Sequence, residues 1–241
     1  SESFSDSFDV VTASEGEAGC RAAIAHIPDI IVTDIMMAGM NGITFCKIIK
    51  EDVRTSHIPV IMLTAKDSLQ NKEEGYLAGA DSYLTKPFSA SLLRSRIHNL
   101  LESRKKLANQ FSNNLNINSD KSIILHESLN QLDNEFIQKI TQIIEDNLKS
   151  EKIDVTYLAD KLCMSKSTLY RKIKALTGIS TNEYVRKIKM QNAEKLMLEG
   201  RYTISEIAFR VGMNSPVYFR QCFKEEFGIS PSEYLKHLKS K

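Results

Sequence analysis

The chain has 241 residues, 42% of them apolar and 26% charged, a balance that excludes a wholly disordered or collagen-like polymer and leaves room for one large domain or two ordinary ones. Net charge is only +2, but residues 1–110 carry 12 Lys/Arg against 14 Asp/Glu, while residues 151–241 carry 17 against 10. An acidic front and a basic back imply two domains, the second facing a polyanion. No apolar run approaches the ~18 residues of a membrane span, and no basic-then-apolar secretory signal opens the chain. Cys20, Cys46, Cys163 and Cys222 are too far apart for a zinc or redox motif and read as reduced thiols of a cytoplasmic protein.

The front half alternates strand and helix. Residues 8–13, with Val10, Val11 and Thr12, read as a strand, and 15–25 as a helix ended by Pro28. The apolar run 30–33 has the character of a strand buried on both faces. Asn41-Gly42 marks a turn before a helix to about residue 52, and 59–63 is a second buried strand. A helix over 68–78, a short strand over 82–84 and a helix from 89 to about 106 follow. That alternation predicts a parallel sheet covered on both faces.

Asp34, Thr64 and Lys86 each sit just past the carboxyl end of one of these strands, where open parallel sheets place their ligand crevice. A carboxylate, a hydroxyl and an ammonium brought to one place suit an aspartyl-phosphate: a nucleophile with donors for the phosphoryl oxygens. The segments 34–42, 63–65, 79–83 and 84–88 (DIMMAGMNG, LTA, GADSY, LTKPF) resemble the receiver domain of two-component response regulators, over roughly residues 6–106. The resemblance implies a flavodoxin-like fold with Asp34 as phosphoacceptor, Thr64 as switch hydroxyl, Tyr83 as switch aromatic and Lys86 as phosphoryl-binding cation. It also implies Mg²⁺ held by Asp34 and the Met36 carbonyl, and a cis Lys86–Pro87 bond. The side chains of Met36, Met37 and Met40 read simply as apolar filling.

The family pattern has an earlier strand ending in an acidic pair that holds Mg²⁺, and this chain lacks that pair. Residues 1–7 read as the tail of the following helix, so the receiver reads as N-terminally truncated. With a sheet order of 2-1-3-4-5 the lacking strand is central. Residues 8–13 are expected to lose their pairing partner and strand 30–34 to present an open edge. Mg²⁺ binding is therefore doubtful, and Asp34 is expected to accept phosphate poorly or not at all in these 241 residues.

Residues 109–131 are Asn-rich and read as a linker between a receiver over 1–108 and a second domain over 132–241, which opens with a helix capped by Asp133 and running to about 149. The second domain contains a repeat. Leu158-Ala159 matches Ile207-Ala208, Leu169 matches Phe219, Ile173 matches Phe223, and Gly178-Ile179-Ser180 matches Gly228-Ile229-Ser230. Each copy reads as helix, turn, helix, at about 155–176 and 204–227. In the first, Ser165 caps a helix whose outward stripe is Ser167, Tyr170, Arg171 and Lys174. In the second, the outward stripe is Val217, Arg220, Gln221 and Lys224. Such stripes suit base edges and phosphates in a major groove, with Val217 suited to a thymine methyl. A helix over 182–198, ended by Gly200, separates the two units, which are expected to enter grooves one turn, ~34 Å, apart.

This all-α tandem, especially Gly212-Met213-Asn214-Ser215 and residues 227–234 (FGISPSEY), resembles the AraC-type DNA-binding domain. The two resemblances together imply a cytoplasmic transcription regulator of a phosphorelay, not an enzyme, controlled by phosphorylation of Asp34. Receiver-to-AraC fusions also occur at the C-terminus of hybrid two-component sensors. The implied partners are double-stranded DNA, an upstream histidine kinase module and a second copy through the receiver. The alternative is a constitutive DNA-binding regulator whose receiver serves only assembly. A dehalogenase-like phosphatase is disfavoured because Met36 stands where a second acid is needed.

Overall fold

The computed structural model describes residues 8–65, 78–114, 129–150 and 153–239. The chain divides into two compact units, Ser1–Asn109 with Asn130–Asp133, and Gln110–Leu129 with Asn134–Lys241.

In the first unit, three strands, β1 (Ile31–Asp34), β2 (Val60–Thr64) and β3 (Ser82–Thr85), form a parallel sheet in that order. The β2 run of β-branched and apolar side chains makes it the central strand, and Val60, Ile61 and Met62 are fully buried. One sheet face, through Val60 and Met62, packs on α1 (Gly16–His26) and α2 (Gly42–Glu51) by way of Ala23, Phe45, Cys46 and Ile49. The other, through Ile61 and Leu84, packs on Leu93 and Ile97 of α3 (Ala90–Asn114).

Register places Asp34 beside Leu63 and Thr64 beside Thr85, so the carboxyl ends of the three strands lie flush. The other end of the sheet is tied by Asp81. Its carboxylate accepts from Lys50 (2.6 Å), Arg104 (2.7 Å) and the Val60 N–H (2.8 Å). Burial alone would raise the Asp81 pKa, but the Lys50 ammonium, the Arg104 guanidinium and that N–H outweigh it and hold the carboxyl below its ordinary range.

Three readings of the front half need correction or fall outside view. Residues 8–13 are not a strand: Val10 and Val11 are 43% and 55% exposed, and only Phe8 packs on the core. A β-branched run forms a strand only beside a partner, and β1 is a sheet edge with none among the described residues. Helix α3 runs to Asn114 rather than ending near 106, because Ala108 and Phe111 continue its buried face. The helix expected over 68–78 lies almost wholly outside the described residues.

The second unit is helical. After α4 (Gln131–Asp146) come α5 (Val155–Lys161), α6 (Lys166–Thr177), α7 (Thr181–Glu199), α8 (Ile204–Arg210), α9 (Pro216–Phe227) and α10 (Pro231–Lys239). Asp133 is not the cap of α4; its own N–H donates to Asn130 Oδ1 (2.8 Å), one turn earlier.

The repeat is physical. Ser165 caps α6 by accepting from the Thr168 N–H, and Ser215 caps α9 by accepting from the Tyr218 N–H. Both helices end in a left-handed glycine, Gly178 and Gly228, and each is followed by a Ser/Glu capping pair, Ser180 with Glu183 and Ser230 with Glu233. The tyrosine of each copy then anchors its last helix: Tyr184 hydroxyl pairs with Thr141 (2.8 Å), and Tyr234 hydroxyl donates to Glu194. Helix α7 serves both copies. Tyr184, Val185 and Ile188 belong to the first core, with Leu169 and Ile173; Met190, Ala193 and Met197 belong to the second, with Phe219 and Phe223.

Candidate functional site

Asp34 is the last residue of β1, Thr64 the last of β2, and Lys86 follows β3 directly. The Lys86 ammonium donates to Asp34 Oδ2, closing a pair that joins two strands with one between them. The Lys86 N–H donates to the Thr64 carbonyl (2.7 Å), which sets the lysine at the end of the sheet. Asp34 Oδ1 accepts from the Met36 N–H (3.2 Å). The Asp34 and Lys86 side chains remain 33% and 43% exposed, so a donor in solution reaches the carboxylate.

Thr64 is buried at the same edge, and Tyr83 is half-buried, its ring packed on the Ala23, Phe45 and Cys46 cluster. The Lys86–Pro87 peptide is cis. Gly42, which opens α2, holds the loop after Asp34: a Cβ there would lie 2.1 Å from the Asp34 carbonyl oxygen. The strand ends thus bring Asp34 and Lys86 into contact and place Thr64 beside them, whereas Tyr83 faces the core.

Among the described residues the donors for a divalent cation at this site come to one carboxylate and one carbonyl. Asp34 supplies one carboxylate, both of whose oxygens already accept from Met36 and Lys86, and Met36 adds one carbonyl. Among the described residues no cluster of three His, Cys, Asp or Glu exists.

On the second unit, Ser167, Tyr170, Arg171 and Lys174 are all exposed along α6, and Val217, Arg220, Gln221 and Lys224 along α9. Val217 is 74% exposed, unusual for an aliphatic residue on a packed helix. Neither Arg171 nor Arg220 has an ion-pair partner among the described residues; Gln221 donates to Glu225 (3.0 Å), and Lys174 lies 5.8 Å from the Tyr170 ring centroid.

Three cations of α7 are internal ties rather than part of a free basic surface. Arg186 meets Glu225 (3.4 Å), Lys187 meets Glu226 (2.8 Å), and Lys189 is buried, donating to the carbonyls of Gly212 (3.2 Å) and Ser150 (3.4 Å). The acidic pair Glu225-Glu226, on the helix opposite, was the sequence signal for the first two.

Two further surface residues escaped the sequence reading. Lys166 occupies the first position of α6, and Tyr218, in the first turn of α9, is half exposed. Lys166 was legible as a cation at a helix start, where the dipole disfavours one.

Comparison with known proteins agrees with this geometry. Residues 3–98 match the response regulator receiver domain and residues 158–237 match a helix-turn-helix domain. The chain is 37% identical, over 94% of its length, to part of histidine kinase P4 of Formosa agariphila. It is 41% identical, over 48% of its length, to the heme response regulator HssR of Staphylococcus saprophyticus. It spans 16% of the first protein and 46% of the second. The C-terminal domain of AraT, a response regulator from Geobacillus stearothermophilus, aligns at 33% identity over 42% of this chain and 84% of that one, with a TM-score of 0.40. Residues 3–98 thus form a response regulator receiver domain and residues 158–237 an AraC-type helix-turn-helix domain, joined in one chain.

Proposed function

We propose that this chain is the output end of a phosphorelay: a sequence-specific, DNA-binding transcription regulator whose receiver is controlled at Asp34. The observation that carries this reading is the Asp34–Lys86 pair at the open end of a parallel sheet, in one polypeptide with two exposed, donor-rich helix stripes. We assign the receiver to residues 1–108, the linker to 109–131 and the DNA-binding domain to 132–241.

In the resting state the Lys86 ammonium neutralises the Asp34 carboxylate. On phosphorylation an Asp34 oxygen forms a bond to phosphorus as the donor's bond to phosphorus breaks, and Lys86 follows the new charge onto the phosphoryl oxygens. Thr64, at the next strand end, is the hydroxyl placed to follow it. The Tyr83 ring, packed on the core beneath, moves with that strand end and transmits the change. The phosphoryl group comes from a histidine kinase, the kind of protein that the Formosa relative is named for. A second receiver is the partner we assign to the switched face, and the cytoplasm is the compartment.

Asp34→Ala, introduced into the parent organism, is expected to remove signal-dependent transcription while the purified variant chain still binds the same DNA. A promoter response equal to that of the unaltered protein contradicts control through Asp34 and leaves a constitutive regulator.

A further inference from the structure

The two reading helices are not chemically equal. Helix α6 contains four basic residues, Lys166, Arg171, Lys172 and Lys174, and no acidic one; Lys172 is buried and the other three are exposed. Helix α9 contains two basic residues, Arg220 and Lys224, and two acidic ones, Glu225 and Glu226. Position by position, Lys166 gives way to Pro216, Ser167 to Val217, Arg171 to Gln221 and Ala175 to Glu225. The acids of α9 recruit Arg186 and Lys187 from α7, so those cations are tied up rather than free for phosphate.

What α9 presents at its start is carbon-rich: Val217 is 74% exposed and Tyr218 50%. Residues at the start of a helix-turn-helix reading helix are the ones that reach base edges. A short aliphatic side chain there meets one base-specific apolar group in the major groove, the thymine methyl. At the equivalent position α6 has the Ser167 hydroxyl, beside Arg171 and Lys174 on a helix that contains no acid.

We propose that the two helix-turn-helix units divide the work of recognition: α6 is the electrostatic anchor, and α9 reads its half-site by seating Val217 on a thymine methyl. This rests on the reading of both helices as DNA-binding. The two half-sites therefore differ in base composition, and the salt dependence of binding comes mainly from the first unit.

The test uses the whole chain and the duplex that it selects from random sequence, with each thymine in turn replaced by deoxyuridine, which removes only the methyl. At least one replacement in one half-site is expected to weaken binding by about four-fold, the value of one buried methyl. Val217→Ser, which installs the residue of the first copy, is expected to abolish that sensitivity. The matched variants Lys174→Gln and Lys224→Gln form a second arm. The first is expected to lower the slope of log affinity against log salt by about one, and the second by clearly less, because α9 carries Glu225 and Glu226 beside its cations where α6 carries no acid.

Tolerance of deoxyuridine at every position, or sensitivity that survives in V217S, overturns the division while DNA binding stands. Equal losses of slope overturn the anchoring role of α6. Selection of no duplex at all overturns the proposal together with the function on which it rests.

Discussion

Asp81→Ala is expected to destabilise the receiver unit by about 3–5 kcal/mol, the range for removing one partner of a buried ion pair. The Asp81 side chain is 17% exposed, and it faces Lys50 at 13% and Arg104 at 28%. Removing it leaves two cations in a low-dielectric corner and deprives the Val60 N–H of its acceptor at the start of the central strand. The check is hydrogen exchange of the β2 and β3 amides, which reports the receiver separately from the helical unit. Exchange at the unaltered rate contradicts the role given to Asp81. Lys50→Met placed on top is expected to recover part of the loss, because it removes one orphaned charge.

The same residue gives the receiver an acid limit. The folded protein holds the Asp81 carboxyl below its ordinary value, so its stabilisation is complete above the unfolded pKa, near pH ~4, and fades as pH falls through the depressed folded value. The Asp81→Ala protein is expected to lose the part of the acid transition that belongs to this group.

Gly212→Ala is expected to cost the second unit at least about 2 kcal/mol, whereas Cys163→Gly, at the equivalent turn of the first copy, changes stability by under about 1 kcal/mol. Both residues lie in the left-handed region, at φ 66° and 53°. They differ in surroundings. A Cβ on Gly212 would lie 2.3 Å from the Leu148 carbonyl oxygen and 3.1 Å from both the Lys149 carbonyl carbon and Lys189 Nζ, and backbone cannot step aside cheaply. Cys163 is exposed and carries its side chain in the open. Urea unfolding of the three proteins decides the matter; equal losses at the two turns contradict the packing explanation. Because Gly212 also accepts from Lys189, displacement of this turn shifts the start of α9, and DNA affinity is expected to fall with stability.

How much of this was legible depended on whether the signal was local. The strands 31–34 and 60–64 announced themselves as short apolar runs, although only the second is buried on both faces, because β1 lies at the sheet edge with Val32 exposed; Ser165 and Gly200 marked helix ends correctly because a cap acts within one turn. The repeat placed both outward stripes on exposed faces for the same reason: helical periodicity decides which side of an amphipathic helix faces water. Residues 8–13 failed because β-propensity is realised only against a neighbour. Helix α3 outran its expected end because Ala108 and Phe111, sparse among polar residues, keep its face buried. The ties of Lys187 and Lys189 were not legible locally, since their partners, Glu226 and the Gly212 carbonyl, stand 39 and 23 residues away. Asp81 was visible only as part of the family resemblance, since its partners come from two separate helices and a strand.

Selection of DNA from random sequence by the purified chain, followed by a salt titration on the enriched duplex, tests the central claim most directly. The predicted result is one enriched two-part motif, its halves about one helical turn apart, with affinity that falls steeply as salt rises. No enrichment, or binding that ignores both sequence and salt, would contradict the assignment of α6 and α9 as DNA-reading helices.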